Sequence, residues 1–368
     1  MKPARYRPVH GKVPCAEGLE SRHLLSGGRS LAPVAEVRAL RGGPATEPPR
    51  LFIEPEAGRG PILRAITAAK SEIRVGICNF SDPELVDALL AARARGVNVR
   101  VILDRADYLA KPPEQQQAAR LTAGGVQVRL SNPVFPQSFP KYILVDQRQV
   151  MIMTMCIVPP TFQDTRDYGV VLGDPRILRE VAAVFETDWA SSAPAGVTPP
   201  PYNPTPAIND PRLIVAPTNA SAQLSRLITG ARHTLEVTSE VVDDAFLQGQ
   251  LVAAARRGVR VRLIAPVRSR AGNDNLPALR SLADNGVAVH VTTSLSPDPT
   301  AMPYLHAKSM VVDRRTVYLG SIDLDATETG QDRELGIILQ RPTVARRLRS
   351  QFQSDWLRTN DAGPTAVG

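Results

Sequence analysis

Residues 91–105 read AARARGVNVRVILDR and residues 253–267 read AAARRGVRVRLIAPV. Each runs from an Ala-rich helical stretch through a glycine into alternating apolar positions, and meeting the pattern twice points to an internal duplication. Working outward, both copies keep the same order. AITAAKSEIRV (65–75) and LITGARHTLEV (227–237) precede them as helix then strand, and GVQVRL (125–130) and GVAVHV (286–291) follow after a further helical stretch. This β-α-β-α-β order predicts an α/β fold, each copy a mixed sheet sandwiched by helices. SDPE (81–84) announces a helix over 84–95: Ser81 or Asp82 can cap it, Pro83 presets φ, Glu84 suits the positive first turn, and Gly96 stops it. DDAFLQGQLVAAARRG (243–258) repeats the device with Gly258. Leu85, Leu89 and Ala92, like Leu247, Leu251 and Ala255, share a helix face and are read as core.

The copies close on FETDW (185–189) and FQSDW (352–356), so Trp189 and Trp356 stand 167 residues apart; Lys141 and Lys308, and Asp146 and Asp313, keep the same spacing. Between the copies, SSAPAGVTPPPYNPTPAINDP (191–211) has seven prolines in 21 residues, which suits a semi-stiff connector. The chain is accordingly divided into a disordered basic leader (1–50), a first repeat (51–190), this linker (191–211), a second repeat (212–358) and a short tail (359–368).

With 368 residues, 43% of them hydrophobic, the chain can build two domain-sized cores, and no apolar run nears the ~20 residues of a membrane span. The formal charge is +8, but the first 50 residues hold nine Lys/Arg against four Glu and so carry +5 of it. The remainder argues against a strongly basic, nucleic-acid-binding core. The longest apolar stretch of the leader, LAPVA (31–35), is too short for a secretory signal, so a soluble cytoplasmic protein is expected, with peripheral membrane contact open. Cys15, Cys78 and Cys156 are too few and too far apart for a disulfide framework or a zinc site, and a reducing compartment is the default. Cys156, inside VMIMTMCIV (150–158), reads as a core thiol.

The chemistry concentrates in LHAKSMVVD (305–313), whose partner in the first copy is SFPKYILVD (138–146). As a β-strand, this stretch places His306 and Lys308 on one face, while Asp313, of opposite parity, braces the turn that follows. An imidazole beside an ammonium suits attack on a phosphodiester: the ring is nucleophile or proton carrier, the cation offsets charge on the non-bridging oxygens, and no metal or other cofactor is required. Only six of the 44 basic residues are lysine, yet two occupy the matched positions 141 and 308. Downstream, LGSIDLD (319–325) brings Gly320, for close backbone approach, and Ser321, whose hydroxyl and amide can meet a phosphate oxygen. In DRELG (332–336), Glu334 is placed to accept a hydrogen bond from His306; its counterpart in the same R-[DE]-x-G setting is Asp167. His10, His23, His233 and His290 have no such company and read as surface or core residues.

Together these residues resemble the phospholipase D superfamily, in particular its cardiolipin synthase and phosphatidyltransferase branch, whose signature is His-x-Lys-x4-Asp, then Gly-Ser-x-Asn, then an acid. The resemblance covers both repeats, from about 51 to 358. It implies two α/β lobes about a pseudo-twofold axis with one site between them, a phosphohistidine on one repeat and a leaving-group acid on the histidine of the other. Carried over, His306, Lys308, Ser321 and Glu334 are the functional residues of the second repeat and Asp313 its structural acid. The first repeat departs from the pattern: Phe139 replaces the histidine, and MTMC (153–156) replaces Gly-Ser-x-Asn. Lys141 and Asp146 remain, and even the second repeat has Asp323 in place of the asparagine. Lys141, Gly320, Asp323 and Thr154 are candidate substrate contacts. Tyr142, Thr154, Asp164 and Asp167 lie near the vacancy, and Asp167, protonated beside Phe139, is the candidate substitute acid.

Three functions fit. One is a phosphodiesterase or phosphatidyltransferase working through His306, with a phospholipid favoured over nucleic acid because the aromatics are only 5% of the chain. A second is a degenerate relative that binds a phosphorylated ligand or partner without turnover. A third is a nuclease whose homodimer partner supplies the missing histidine; otherwise a pseudo-symmetric monomer suffices.

Overall fold

A computed structural model describes residues 47–203, 207–292 and 302–361; the leader up to residue 46 and the tail beyond 361 lie outside the described residues. The first repeat begins with β1 (Arg50–Glu54), α1 (Gly60–Ala68), β2 (Glu72–Ile77), α2 (Pro83–Ala94), β3 (Asn98–Leu103), α3 (Arg105–Ala110), α4 (Pro112–Ala123) and β4 (Gln127–Leu130). It ends with β5 (Tyr142–Val145), β6 (Gln149–Met153), β7 (Thr165–Leu172) and α5 (Pro175–Ala190). The second repeats the plan: β8 (Leu213–Ala216), α6 (Ala220–Gly230), β9 (Thr234–Thr238), α7 (Ala245–Arg256), β10 (Arg260–Pro266), α8 (Leu276–Asp284) and β11 (Ala288–Thr292). After β12 (Tyr304–Leu305) come β13 (Ser309–Val312), β14 (Thr316–Gly320), α9 (Ala326–Gly330), β15 (Glu334–Gln340), α10 (Pro342–Trp356) and β16 (Asn360–Asp361).

The sheets match strand for strand: β1-β7-β6-β5-β2-β3-β4 in one, and β8-β15-β14-β13-β9-β10-β11 in the other, with β16 added at its edge. In each, the crossover strands (β2, β3, β4 and β9, β10, β11) are parallel and the rest antiparallel. Central strands are apolar throughout because both faces are covered. In β5 and β6, Ile143, Val145, Met151 and Met153 face an outer core with α1, α2 and α4, while Tyr142, Leu144, Val150 and Ile152 face the opposite way. Those inward residues meet Val317, Leu319, Leu335 and Ile337 of the second sheet, together with α5 and α10, in a central core that both repeats share. A third core lies under α6, α7 and α8. Both repeats thus belong to one compact unit.

Local sequence explains the helix ends. Asp82, not Ser81, caps α2, accepting from the Leu85 N–H at 3.2 Å, and Asp244 caps α7 from Leu247 at 3.0 Å. Gly96 and Gly258 then take φ of +91° and +86°, a left-handed stop that favours glycine. On α7 the inward alanine is Ala254 rather than Ala255. The proline-rich connector packs on the first repeat: the Asn132 side-chain amide donates to the Ser191 carbonyl at 2.8 Å and the Pro200 carbonyl at 3.0 Å. Cys156 is not a free core thiol. It is disulfide-bonded to Cys78, Cα atoms 6.0 Å apart, because the ends of β2 and β6 meet although 78 residues separate them. Spacing along the chain argues against any such pairing, and strand pairing is what brings the two cysteines together. No helix among the described residues is long and apolar enough to cross a membrane.

Candidate active site

The second-repeat motif reaches the other lobe by a detour. β12 leaves its own sheet to pair in parallel with β7, Tyr304 opposite Thr165 and Leu305 opposite Arg166, and the His306 N–H donates to the Arg166 carbonyl at 3.1 Å. The chain rejoins its own sheet only at Ser309. His306 and Lys308 therefore lie in the span between two strands, not within one strand as expected, since a chain changing sheets cannot keep a single ladder. They still converge: the Lys308 ammonium donates to the His306 carbonyl at 2.6 Å, and the imidazole is 21% exposed, tucked into the junction rather than projecting to solvent.

The acceptor at His306 Nδ1 is Asp167 of the first repeat, at 2.8 Å, not Glu334. Strand register decides this, because β12 lies against the start of β7, whose third residue is Asp167, while Glu334 begins β15 in the other sheet. Asp167 also accepts from the Thr154 hydroxyl at 2.6 Å and the Thr165 hydroxyl at 2.7 Å. Burial alone would raise its pKa, but the His306 ring, the Lys308 ammonium and Thr154 outweigh this and hold the carboxyl below its ordinary range. This favours the ionised form, so Asp167 is placed to orient the ring, against the expectation of a protonated Asp167 beside Phe139. With Nδ1 engaged by Asp167, Nε2 is the ring nitrogen left for other partners.

A residue that the sequence reading missed faces that nitrogen. Glu240 Oε2 lies 3.4 Å from His306 Nε2 and 2.9 Å from Lys308 Nζ, and its Oε1 accepts from the Tyr304 hydroxyl at 2.5 Å. Burial opposes ionisation of Glu240, yet Lys308 and His306 hold its pKa far down. Lys308 is also 3.4 Å from Asp323, which accepts from the Ser239 hydroxyl at 2.8 Å and the Glu240 N–H at 2.7 Å. Burial raises the Asp323 pKa against the pull of Lys308. Asp323 therefore belongs to the Lys308 carboxylate pair and is turned into the structure. The one available signal for Glu240 was an acid inside VTSEVV, at the end of a buried strand.

Other candidates are structural. Both the amide and the hydroxyl of Ser321 go to the Leu335 carbonyl, each at 3.0 Å, so neither is free for a phosphate. Gly320 is required by β15, not by a ligand: a Cβ there would stand 2.4 Å from the Gly336 Cα. Asp313 and Asp146 sit at positive φ and brace turns, Asp313 accepting from the backbone N–H groups of Arg232, His233 and Thr234 at 3.0, 2.7 and 2.9 Å.

The first repeat mirrors this construction without the imidazole. Ser138 bridges Arg333 in parallel and the Phe139 N–H donates to the Arg333 carbonyl at 2.8 Å, as His306 does to Arg166. Glu334 thus corresponds to Asp167, and Phe139 takes the ring position. Burial pushes the Glu334 carboxyl up to about 8 against the pull of Lys141, Ser321 and Lys308, so lysines from both repeats act on it. Lys141 is buried and donates to the Phe139 carbonyl at 3.1 Å. The disulfide stands where the second repeat has Glu240 and Asp323. Cys78 lies as far beyond Ile73, paired with Val145, as Glu240 lies beyond Leu235, paired with Val312. The matching bridges are Phe80 to Ile157 and Val242 to Leu324.

Comparison with known proteins agrees with this picture. The family model described as "Cardiolipin synthase, PLD-like domain" matches residues 62–189 and again 224–356. Cardiolipin synthase A of Pseudomonas aeruginosa (strain LESB58) is 26% identical over 347 residues, covering 86% of this chain and 68% of that protein. Mitochondrial cardiolipin hydrolase of Mus musculus is 29% identical over 139 residues, 38% of this chain, and the match spans 61% of that relative's length. Among solved structures, phosphatidylserine synthase of Haemophilus influenzae Rd KW20 superposes with a TM-score of 0.62 at 16% identity, covering 85% of this chain and 87% of that one. Polyphosphate kinase of Porphyromonas gingivalis gives 0.61 at 18% identity, covering 84% and 50%. Each of these two supports the fold. With the duplicated α/β lobes, the histidine and lysine at their junction and a family model that matches both repeats, the chain belongs to the cardiolipin synthase-type, phospholipase D-like family.

Proposed function

We propose that this protein is a phosphodiesterase or phosphatidyltransferase that acts on a phospholipid through a phosphohistidine at His306. One observation carries the reading: the His306 ring is oriented by a buried, ionised Asp167 from the opposite repeat, with the Lys308 ammonium beside it. In this mechanism Nε2 attacks phosphorus, the P–O bond to the leaving group breaks, and Lys308 and Lys141 offset charge on the non-bridging oxygens. An acceptor alcohol or water then displaces His306 and frees the product. None of these steps calls for a metal ion. The names of the relatives, a cardiolipin synthase and a cardiolipin hydrolase, support a lipid substrate and leave transfer and hydrolysis both open.

The test is turnover of 4-nitrophenyl phosphocholine, followed by acid-quench mass analysis for a phosphoryl adduct on residue 306. Adduct and turnover should both vanish in His306→Ala; equal, background-level rates for wild type and variant would end the enzyme reading. A second reading rests on Glu240, whose carboxylate occupies the space beside Nε2 where a phosphoryl oxygen would sit. If Glu240 stays there, the site binds without turnover. In that case calorimetry should detect an anionic phospholipid head group held by wild type and His306→Ala alike and lost in Lys308→Ala.

A further inference from the structure

We infer that a second ligand site lies at the end of the first sheet remote from His306, and that it takes an anionic phospholipid, with phosphate on arginines and acyl chain along an apolar wall. The inference is independent of turnover at the junction.

The site is a groove of about 830 Å³, within the roughly 300–1,000 Å³ of small-molecule sites. It is built from β1, α1, the start of α10, and the residues Gln149 and Val171. Val171 lies four residues along β7 from Asp167, about 13 Å at ~3.3 Å per residue, so the groove and the His306 site are at opposite ends of that strand.

The lining divides by chemistry. Leu51, Pro61 and Val344 belong to its apolar wall, Arg50, Arg64 and Arg347 supply three guanidinium groups, and no acid lines it. Arg50 is paired with Glu47 at 2.7 Å, an exposed pair of little energetic weight. Arg347 Nη1 donates to the Leu51 carbonyl at 2.7 Å, which fixes that guanidinium at the groove.

The duplication shows what this charge replaces. Glu54 lies opposite Asp167 and Ala216 opposite Glu334, so Arg50 and Arg212, each four residues earlier, are counterparts. α5 and α10 keep the 167-residue offset, which matches Asp174 and Glu180 with Arg341 and Arg347. In the second repeat the ensemble is closed internally. Arg212 donates to Asp210 at 2.6 Å and to Asp174 at 2.8 Å, while Glu180 accepts from the Asn209 and Asp210 N–H groups at 3.1 and 2.9 Å. Ile208 of the same stretch packs against the central core. The connector thus brings an acid and an apolar side chain to that place. In the first repeat the strand arginine is kept, but both helix acids have become arginines.

Guanidinium groups gathered on an apolar groove repel one another until an anion joins them. The complementary occupant carries what the connector carries in the other repeat, an acidic group joined to an apolar one. A phosphate head matches the guanidinium fork, and an acyl chain gains by covering the wall. Inorganic phosphate would use the arginines and leave the wall bare, so the apolar lining favours a lipid.

The experiment is photocrosslinking of the full-length wild-type protein with a short-chain phosphatidic acid bearing a diazirine at the end of one acyl chain, mapped by peptide mass analysis. Label should fall on residues 47–68 and 342–348. Labelling there should be at least tenfold weaker for the matching phosphatidylcholine, and at least tenfold weaker for Arg64→Glu with the phosphatidic acid probe. Label confined to the segments around Glu240 and His306 would overturn the inference, as would equal labelling by the zwitterionic probe. Competition at equal concentration by inorganic phosphate would show an anion site without lipid recognition, and competition by octaglutamate would show an acidic-peptide site; either result overturns the claim. The wild-type map and probe selectivity need no variant, so a misfolded Arg64→Glu would not shelter it.

Discussion

His306 has two carboxylates at its edges, Asp167 at Nδ1 and Glu240 near Nε2, and they act differently. Asp167 has no exposed surface and three donors, so it is a fixed acceptor; replacing it with Asn should cost about 10²- to 10⁴-fold in kcat on the aryl diester, with little change in KM. Glu334→Gln, at the matched position of the other repeat, should cost less than tenfold, because no imidazole depends on it. Steady-state kinetics of the two variants checks this, and the opposite ranking would restore Glu334 as the partner of His306. The identities of His306, Lys308 and Asp167 were all visible in the sequence, yet their pairing was not. Residues 139 positions apart become partners only because β12 crosses to β7.

At the scale of elements, β2 and β6 are each held by their sheet and also to each other by Cys78–Cys156. Closing a loop of 78 residues removes unfolded-state entropy worth up to about 4 kcal/mol in the chain-entropy account. Cys78→Ser with Cys156→Ser, or reduction of the wild type, should therefore lower stability by about 2–4 kcal/mol in urea unfolding; an unchanged midpoint would mean that the bond contributes no net stability. Spacing along the chain discouraged a disulfide reading, because two cysteines so far apart have no reason to meet until strands β2 and β5 and then β5 and β6 pair. The helices were more legible. Their caps and stops are local, so Asp82, Gly96, Asp244 and Gly258 act through a few neighbouring residues.

Across the whole molecule, the two repeats are tied by reciprocal buried ion pairs. Arg333 of the second repeat donates to both oxygens of Asp188 on α5, at 2.7 and 3.0 Å, and Arg166 of the first lies 3.2 Å from Asp355 on α10. The repeated TDW and SDW ends, and the arginine before each R-[DE]-x-G acid, are thus a mutual clasp. Asp188→Ala removes the carboxylate from a guanidinium that is 1% exposed and should cost about 3–5 kcal/mol in chemical denaturation, whereas an exposed pair such as Arg120–Asp87 should cost under about 1 kcal/mol. Two buried carboxyls add a pH dependence. Burial raises both Glu54, directly opposite Asp167 in β1–β7, and Glu334 to about 8. The folded chain then keeps protons that the unfolded chain gives up above about 4.5, so their contribution is full below that pH and is lost as pH rises through about 8. Thermal unfolding at pH 5 and pH 9 should show a lower Tm at pH 9, and Glu334→Gln should reduce the difference; an identical pH slope in the variant would contradict the assignment.

By itself the sequence determined the duplication, the helix–strand order, the helix ends and the short set of residues able to do chemistry, because periodicity, caps and motif spacing act over a few turns of chain. Only the tertiary structure decided that Asp167 rather than Glu334 meets His306, that Glu240 faces its Nε2, that Ser321 is already committed and that Cys78 meets Cys156. Those outcomes depend on which strand edges come together across the pseudo-twofold, and that is set by burying both sheets against one shared core.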